Sequence, residues 1–198
     1  MRDTRQEILD AARRLFNQRG YNGVSLQDIA RSVGISKGNL SYHFQKKEGI
    51  AEALIAEGGD PLPLKTPQTI GELDLVFLDI QQVVQDNRFF FLSHAQLGQI
   101  SPEIGRKQRA RCREITENLE QALVSLHAAG LVRDEDYSGE YAHTAELLYF
   151  SSAYWASFSE LKRAGGEENM GYRRHAWCVV HPLLTQQGRG ALEKLLRL

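Results

Sequence analysis

No stretch of this 198-residue chain approaches the run of about 18 apolar residues that a membrane helix needs. Its N-terminal residues lack the apolar core of a secretory signal, because Asp10, Arg13 and Arg14 interrupt it. Cysteine is scarce: Cys112 and Cys178 are the only two, which excludes a disulfide framework and points to a reducing cytoplasm. There is no nucleophile elbow, phosphate loop or paired-histidine zinc motif, and the six histidines (His43, His94, His127, His143, His175 and His181) are scattered. No catalytic residue, metal site or cofactor is therefore expected. Strand-period alternation, internal repeats and low-complexity tracts are missing as well, which leaves an all-α fold.

A surplus of either charge is also lacking, since the net charge is −1. The informative absence is local. Between Ile29 and Lys47 there is no acidic residue, while Arg31, Lys37, Lys46 and Lys47 are present. A basic patch on a near-neutral protein suits a module that touches phosphates better than one that coats a membrane.

What is present is helical punctuation. Ile8, Ala12, Leu15 and Phe16 give residues 4–19 an apolar face, and Gly20 stops that helix. Ser25 and Asp28 form a capping-box pattern ahead of Leu26, Ile29, Ala30 and Val33, and Gly34 ends this short second helix. Ser36 caps a third helix from Lys37 to about Phe44. Two short helices joined by a tight glycine-containing turn are the layout of a helix-turn-helix. A fourth helix covers 47–57, and the Gly- and Pro-rich segment 58–63 marks a boundary between an N-terminal domain, 1–57, and a C-terminal domain, 58–198. In the second domain the patterns predict helices over 66–86, 88–97, 101–129, 139–164 and 170–185, with a short tail from Ala191.

The third helix can be read residue by residue. A helix turns about 100° per residue, so with Leu40 and Phe44 on the core face the outward direction falls on Tyr42, with Gly38 and Asn39 within about 60° of it. Glu and Lys would serve a solvated face better; this composition suits a DNA groove. Gly38 lets the backbone approach closely. Asn39 can pair with a base edge, adenine in particular, and Tyr42 can reach a phosphate or a thymine methyl. His43 and Lys47 can bond phosphate oxygens, Ser25 and Ser36 sit at helix N-termini that favour anions, and Lys37 has the stem to reach DNA from the first turn.

This N-terminal pattern resembles the TetR family of bacterial transcriptional regulators. The residues that carry the likeness are Ile8, Ala11, Ala12, Leu15 and Phe16, then Arg19-Gly20-Tyr21 with Val24-Ser25, Ile29-Ala30, Val33 through Gly38, Leu40, Tyr42-His43-Phe44 and Lys47-Glu48. The resemblance implies that Lys37, Gly38, Asn39, Tyr42, His43 and Lys47 occupy DNA-contacting positions and that Ser25 contacts phosphate. Asn39 stands where Thr, Ala or Ser is frequent, and Ser41 where an aromatic is frequent. Beyond residue 60 the likeness is one of architecture only. It implies an effector-binding and dimerisation domain, a homodimer on palindromic operator DNA, and release by a small molecule that the sequence does not identify.

Aromatic residues crowd the C-terminal helices, and each is either plain core or the wall of a ligand pocket. Phe77, Phe90, His94, His143, Tyr149 and Trp155 are the candidates for an effector site. The run Arg106, Lys107, Arg109, Arg111 and Arg113 is a solvated helix face or an anion site. Small residues in 139–164 (Ala142, Ala145, Ser152, Ala153, Ala156), and Ala176, Val179, Val180, Leu183 and Leu184 after them, suggest two helices that pair with their copies. Two other readings remain open: a regulator answering to a protein partner, and an architectural protein that binds DNA without regard to sequence.

Overall fold

Helix α1 (Thr4–Arg19) starts where Asp3 caps it, its carboxylate accepting the Arg5 N–H at 3.0 Å. In the computed structural model, which describes residues 3–57, 66–166 and 171–196, the apolar stripe of α1 is buried and Gly20, at φ 73°, closes the helix. Helix α2 (Leu26–Val33) begins at Ser25 and ends at Gly34. Gly34 sits at φ 78°, ψ 27°, the left-handed region in which a β-carbon is strained, so the tight turn into α3 (Lys37–His43) requires glycine there. Helix α4 (Lys47–Glu57) completes the set. Ile8, Phe16, Ile29, Leu40, Ile50 and Leu54 meet in one core with no exposed surface, and replacing any of the large ones by Ala costs about 2–5 kcal/mol. Glu57 returns to α1, lying 3.4 Å from Arg13 and 3.8 Å from Arg5.

The remaining elements are α5 (Ile70–Asp86), α6 (Arg88–Leu92), α7 (His94–Ile100), α8 (Pro102–Ala128), α9 (Glu140–Ala164), α10 (Tyr172–Val180), a 3₁₀ turn at His181–Leu183 and α11 (Gln186–Leu196). No strand occurs among the described residues beyond one isolated antiparallel bridge, Val132 to Leu184. No helix among them is long and apolar enough to cross a membrane.

Several boundaries depart from the sequence reading. The helix expected over 66–86 starts only at Ile70, because Thr69 caps it through the Glu72 N–H. The helix expected over 88–97 is two, broken at Ser93, whose N–H is shared between the carbonyls of Phe89 and Phe90. Pro182, which has no N–H to give, turns the end of α10 into the 3₁₀ segment, and the tail expected from Ala191 is a full helix from Gln186. The breaker segment 58–63 and the helix start at Met170 lie outside the described residues.

The described residues form two compact units. One joins α1–α4 to residues 86–108; the other holds 66–85 and the described residues from 109 onward. In the first, Phe89 packs on Phe16 with ring centres 5.3 Å apart, and the Asn17 carboxamide accepts the Phe89 N–H at 2.9 Å while donating to the Asp86 carbonyl at 3.0 Å. Sequence reading gave no sign of this attachment, which depends on side chains about seventy residues apart. In the second unit, buried Asp74 accepts two bonds from Arg173, at 2.7 and 2.8 Å, and one from the Trp177 indole at 2.8 Å. That fully hydrogen-bonded pair fastens α5 to α10.

Candidate nucleic-acid interface

Two serines set the two helices of the motif. The Ser25 hydroxyl accepts the Asp28 N–H at 3.2 Å, and the Asp28 carboxylate takes the Ser25 N–H at 2.9 Å and the Ser25 O–H at 2.5 Å. Those bonds from Ser25 hold the Asp28 carboxyl below the usual carboxylate range. Ser36 caps α3 by accepting the Asn39 N–H at 3.1 Å. Leu40 is buried and Phe44 nearly so, anchoring α3 on its inner side.

The outer side of α3 is bare. Lys37, Gly38 and Asn39 are exposed, and Tyr42 is 86% exposed, the highest value among the exposed large hydrophobic residues. His43 is half-buried, edge-on to Tyr42 with ring centres 5.3 Å apart. Gly38 has an ordinary backbone conformation, and a β-carbon there would meet only the Ser36 hydroxyl, at 3.8 Å. Nothing in the fold demands glycine at this place, although in a helix it costs about 1 kcal/mol relative to Ala. Ser25, Ser36, Lys37, Gly38, Asn39, Tyr42 and His43 thus lie on two capped helix starts and one exposed helix face.

Lys47 differs from the others. Its ammonium donates to the carbonyls of Tyr21 and Val24, both at 2.9 Å, and sits 4.2 Å from the centre of the Tyr21 ring. Burial pushes its pKa down. Two of its three N–H bonds are therefore committed to the loop that leads into α2, and the residue fixes where Ser25 stands. The sequence showed a basic residue beside the motif but not this destination.

The effector candidates are dispersed. Phe90 and His94 stack at 5.2 Å within the unit that holds the helix-turn-helix, and burial lowers the His94 pKa. The other four belong to the second unit. Phe77 is fully buried, edge-on to Trp177 at 5.2 Å. Trp155 is buried against Tyr172 and His175. Tyr149 is half-buried, its hydroxyl pushed up to about 12 by burial and by its neighbour Cys112. His143 is exposed, against the Tyr137 ring at 5.9 Å. At about 100° per residue, His143 lies about 120° around α9 from both Tyr149 and Trp155. Packing thus brings Phe90 to His94 and gives the rest separate neighbours.

Comparison with known proteins decides the family. Residues 8–54 match the model of the bacterial regulatory proteins of the tetR family, and residues 52–192 match that of a TetR bacterial transcriptional repressor. This chain belongs to the TetR family. It is 48% identical over 190 residues to IcaR of Staphylococcus aureus, a negative transcriptional regulator of the biofilm operon icaADBC; the match covers 92% of this chain and 100% of IcaR. A TetR-family regulator from Marinobacter aquaeolei VT8 has the same fold, with a TM-score of 0.85 at 20% identity over 98% of this chain and 97% of that one. AibR, whose structure holds isovaleryl coenzyme A and operator DNA, aligns with a TM-score of 0.66 at 21% identity, over 92% and 98% of the two chains. The TetR chain described here is thus a DNA-binding regulator of transcription, not an enzyme.

Proposed function

We propose that this TetR protein is a cytoplasmic repressor that grips a palindromic operator as a homodimer and leaves it when a small molecule binds the domain that follows the helix-turn-helix. The observation that carries the DNA half of this reading is the outer face of α3. It presents Gly38, Asn39 and an almost fully exposed Tyr42 that hold nothing within the chain together. Asn39 reads a base edge, Tyr42 reaches a thymine methyl or a phosphate, and Gly38 admits the backbone to the groove. Lys37 and His43 bond phosphates, as do Ser25 and Ser36 at their helix starts, and Lys47 adds its remaining N–H.

Dimerisation is supported by α9, whose side chains Leu147, Phe150, Tyr154, Phe158 and Leu161 are large, apolar and exposed. The small residues first suspected of this role serve another: Ala145, Ser152, Ala153 and Ala156 are buried in the chain's own core, as are Ala176, Val180, Leu183 and Leu184.

For release, the effector must bind more tightly to a conformation whose two recognition helices no longer match the operator. AibR, with a coenzyme A thioester and operator DNA in one structure, illustrates a protein of this fold that takes both. Phe90 with His94, and Tyr149, keep partial exposure and polar atoms and are the effector residues to test first. A second reading, control by a protein partner, is favoured by Phe77 and Trp155, which packing already buries.

Selection of bound duplexes from a randomised library at near-physiological salt tests the central claim. Recovery of one inverted repeat is expected. Binding that enriches no sequence and collapses as salt rises would mean phosphate attraction alone.

A further inference from the structure

The exposed stripe of α9 has an internal symmetry. Its five members are Leu147, Phe150, Tyr154, Phe158 and Leu161, exposed by 50, 60, 44, 47 and 73%. Counted outward from Tyr154, a phenylalanine stands four residues away on each side and a leucine seven residues away on each side. Serines, Ser151 and Ser157, stand three away on each side. At about 100° per residue the five large side chains fall within about 80° of one another, so they form one face. Phe150 and Tyr154 already stack, with ring centres 5.2 Å apart.

A stripe that reads the same in both directions is what an isologous pairing of antiparallel helices requires, because residues equally far from the two-fold axis then meet. We propose that α9 pairs with α9 of a second copy in antiparallel register, with the two-fold axis passing at Tyr154. Tyr154 faces its own copy, Phe150 lies level with Phe158 of the other chain, and Leu147 with Leu161. The inference rests on the dimer reading above and adds to it a direction and a register.

Charge selects the direction. Glu146 flanks the stripe at one end, and Lys162 and Arg163 follow it at the other. Antiparallel pairing sets the acidic end of each helix level with the basic end of its partner and opposes the two helix dipoles. Parallel pairing would set Glu146 beside Glu146 and Lys162 beside Lys162. The area is sufficient to matter. Five half-exposed side chains of this size offer on the order of 500 Å² per copy, about 1,000 Å² in a dimer, the lower bound for a specific interface.

Cysteine cross-linking in the full-length chain tests this. Cys178 is exposed and is first replaced by Ser; Cys112 is half-buried, and the C178S parent reports its background. Under catalysed oxidation Tyr154→Cys should convert most of the chain to a covalent dimer. Leu147→Cys and Leu161→Cys should each stay uncoupled when alone, since their copies sit about 20 Å apart along the axis at 1.5 Å per residue. The two co-expressed with different tags should cross-link to each other. Self-coupling of Leu147→Cys and Leu161→Cys would overturn the antiparallel register in favour of a parallel one. A parent that sediments as a dimer while no α9 variant cross-links would place the interface elsewhere. A parent that sediments as a monomer would remove the dimer reading and this inference together.

Discussion

The outer faces of α3 and α9 both break the rule that large apolar side chains turn inward, and they break it differently. On α3 the exposed aromatic is a single Tyr42 among Gly38, Asn39 and Lys37. On α9 it is a continuous run of Phe, Tyr and Leu with a serine on each side of the centre. A lone tyrosine among hydrogen-bonding groups suits a partner whose edges are polar and whose methyls are isolated, as in a DNA groove. A stripe without polar breaks suits a surface like itself. Exposure alone therefore does not name the partner; the chemistry interleaved with the exposed ring does.

The sharpest way to break the comparison is to give α9 the polarity that α3 already has. Phe150→Glu combined with Phe158→Glu should leave the helix folded, because both side chains are exposed, but leave the protein monomeric in sedimentation. Operator affinity should then fall by about a hundredfold or more, since each half-site is bound without the effective concentration supplied by the other. A double variant that stayed dimeric with full affinity would refute the role of the stripe.

Next in size is Lys47→Met. It removes two donors from the Tyr21 and Val24 carbonyls and should cost about 1–3 kcal/mol in urea unfolding, besides weakening the operator complex. An unchanged midpoint with weaker DNA binding would make Lys47 a phosphate contact and nothing more.

The N-terminal motif was largely legible because each of its signals is local. Ser25 with Asp28, Ser36, Gly20 and Gly34 act within four residues of their targets, and the outward face of α3 follows from Leu40 and Phe44 alone. What escaped depends on distant partners. The ammonium of Lys47 finds carbonyls more than twenty residues earlier, and Asn17 clamps residues 86–89 to the motif's unit. Helix α9 misled the reading of small residues because it is apolar on nearly every side. Its alanines line the inner face and its large residues the outer one, the reverse of what close helix approach between copies suggests. The effector residues were illegible for a similar reason, since an aromatic in a core and one lining a pocket carry the same sequence signal.

Tyr42→Ala and Asn39→Ala sharpen the α3 side. Each should leave unfolding and the dimer unchanged and weaken operator binding by about 1–3 kcal/mol. The two should separate on sequence. Loss of Asn39 relaxes discrimination at a base pair in each half-site, whereas loss of a phosphate contact lowers affinity evenly across sequences. Duplexes carrying each substitution in turn, titrated against both variants, would show the split; even loss from Asn39→Ala would deny it a base contact.

Gly38→Ala is the smallest change and separates fold from function most directly. The backbone there is ordinary helix, and a β-carbon meets only the Ser36 hydroxyl at 3.8 Å. The fold should accept Ala and gain up to about 1 kcal/mol of stability from its better helix propensity. If α3 lies in the groove with Gly38 against DNA, the same methyl must push the helix outward and affinity must drop. A more stable chain that binds its operator less well is the expected pair of results, read from one urea titration and one binding titration. Should the variant gain stability and keep its affinity, Gly38 does not face the DNA, and α3 must be rotated in the groove so that Tyr42 and the flank toward His43 carry the contact instead.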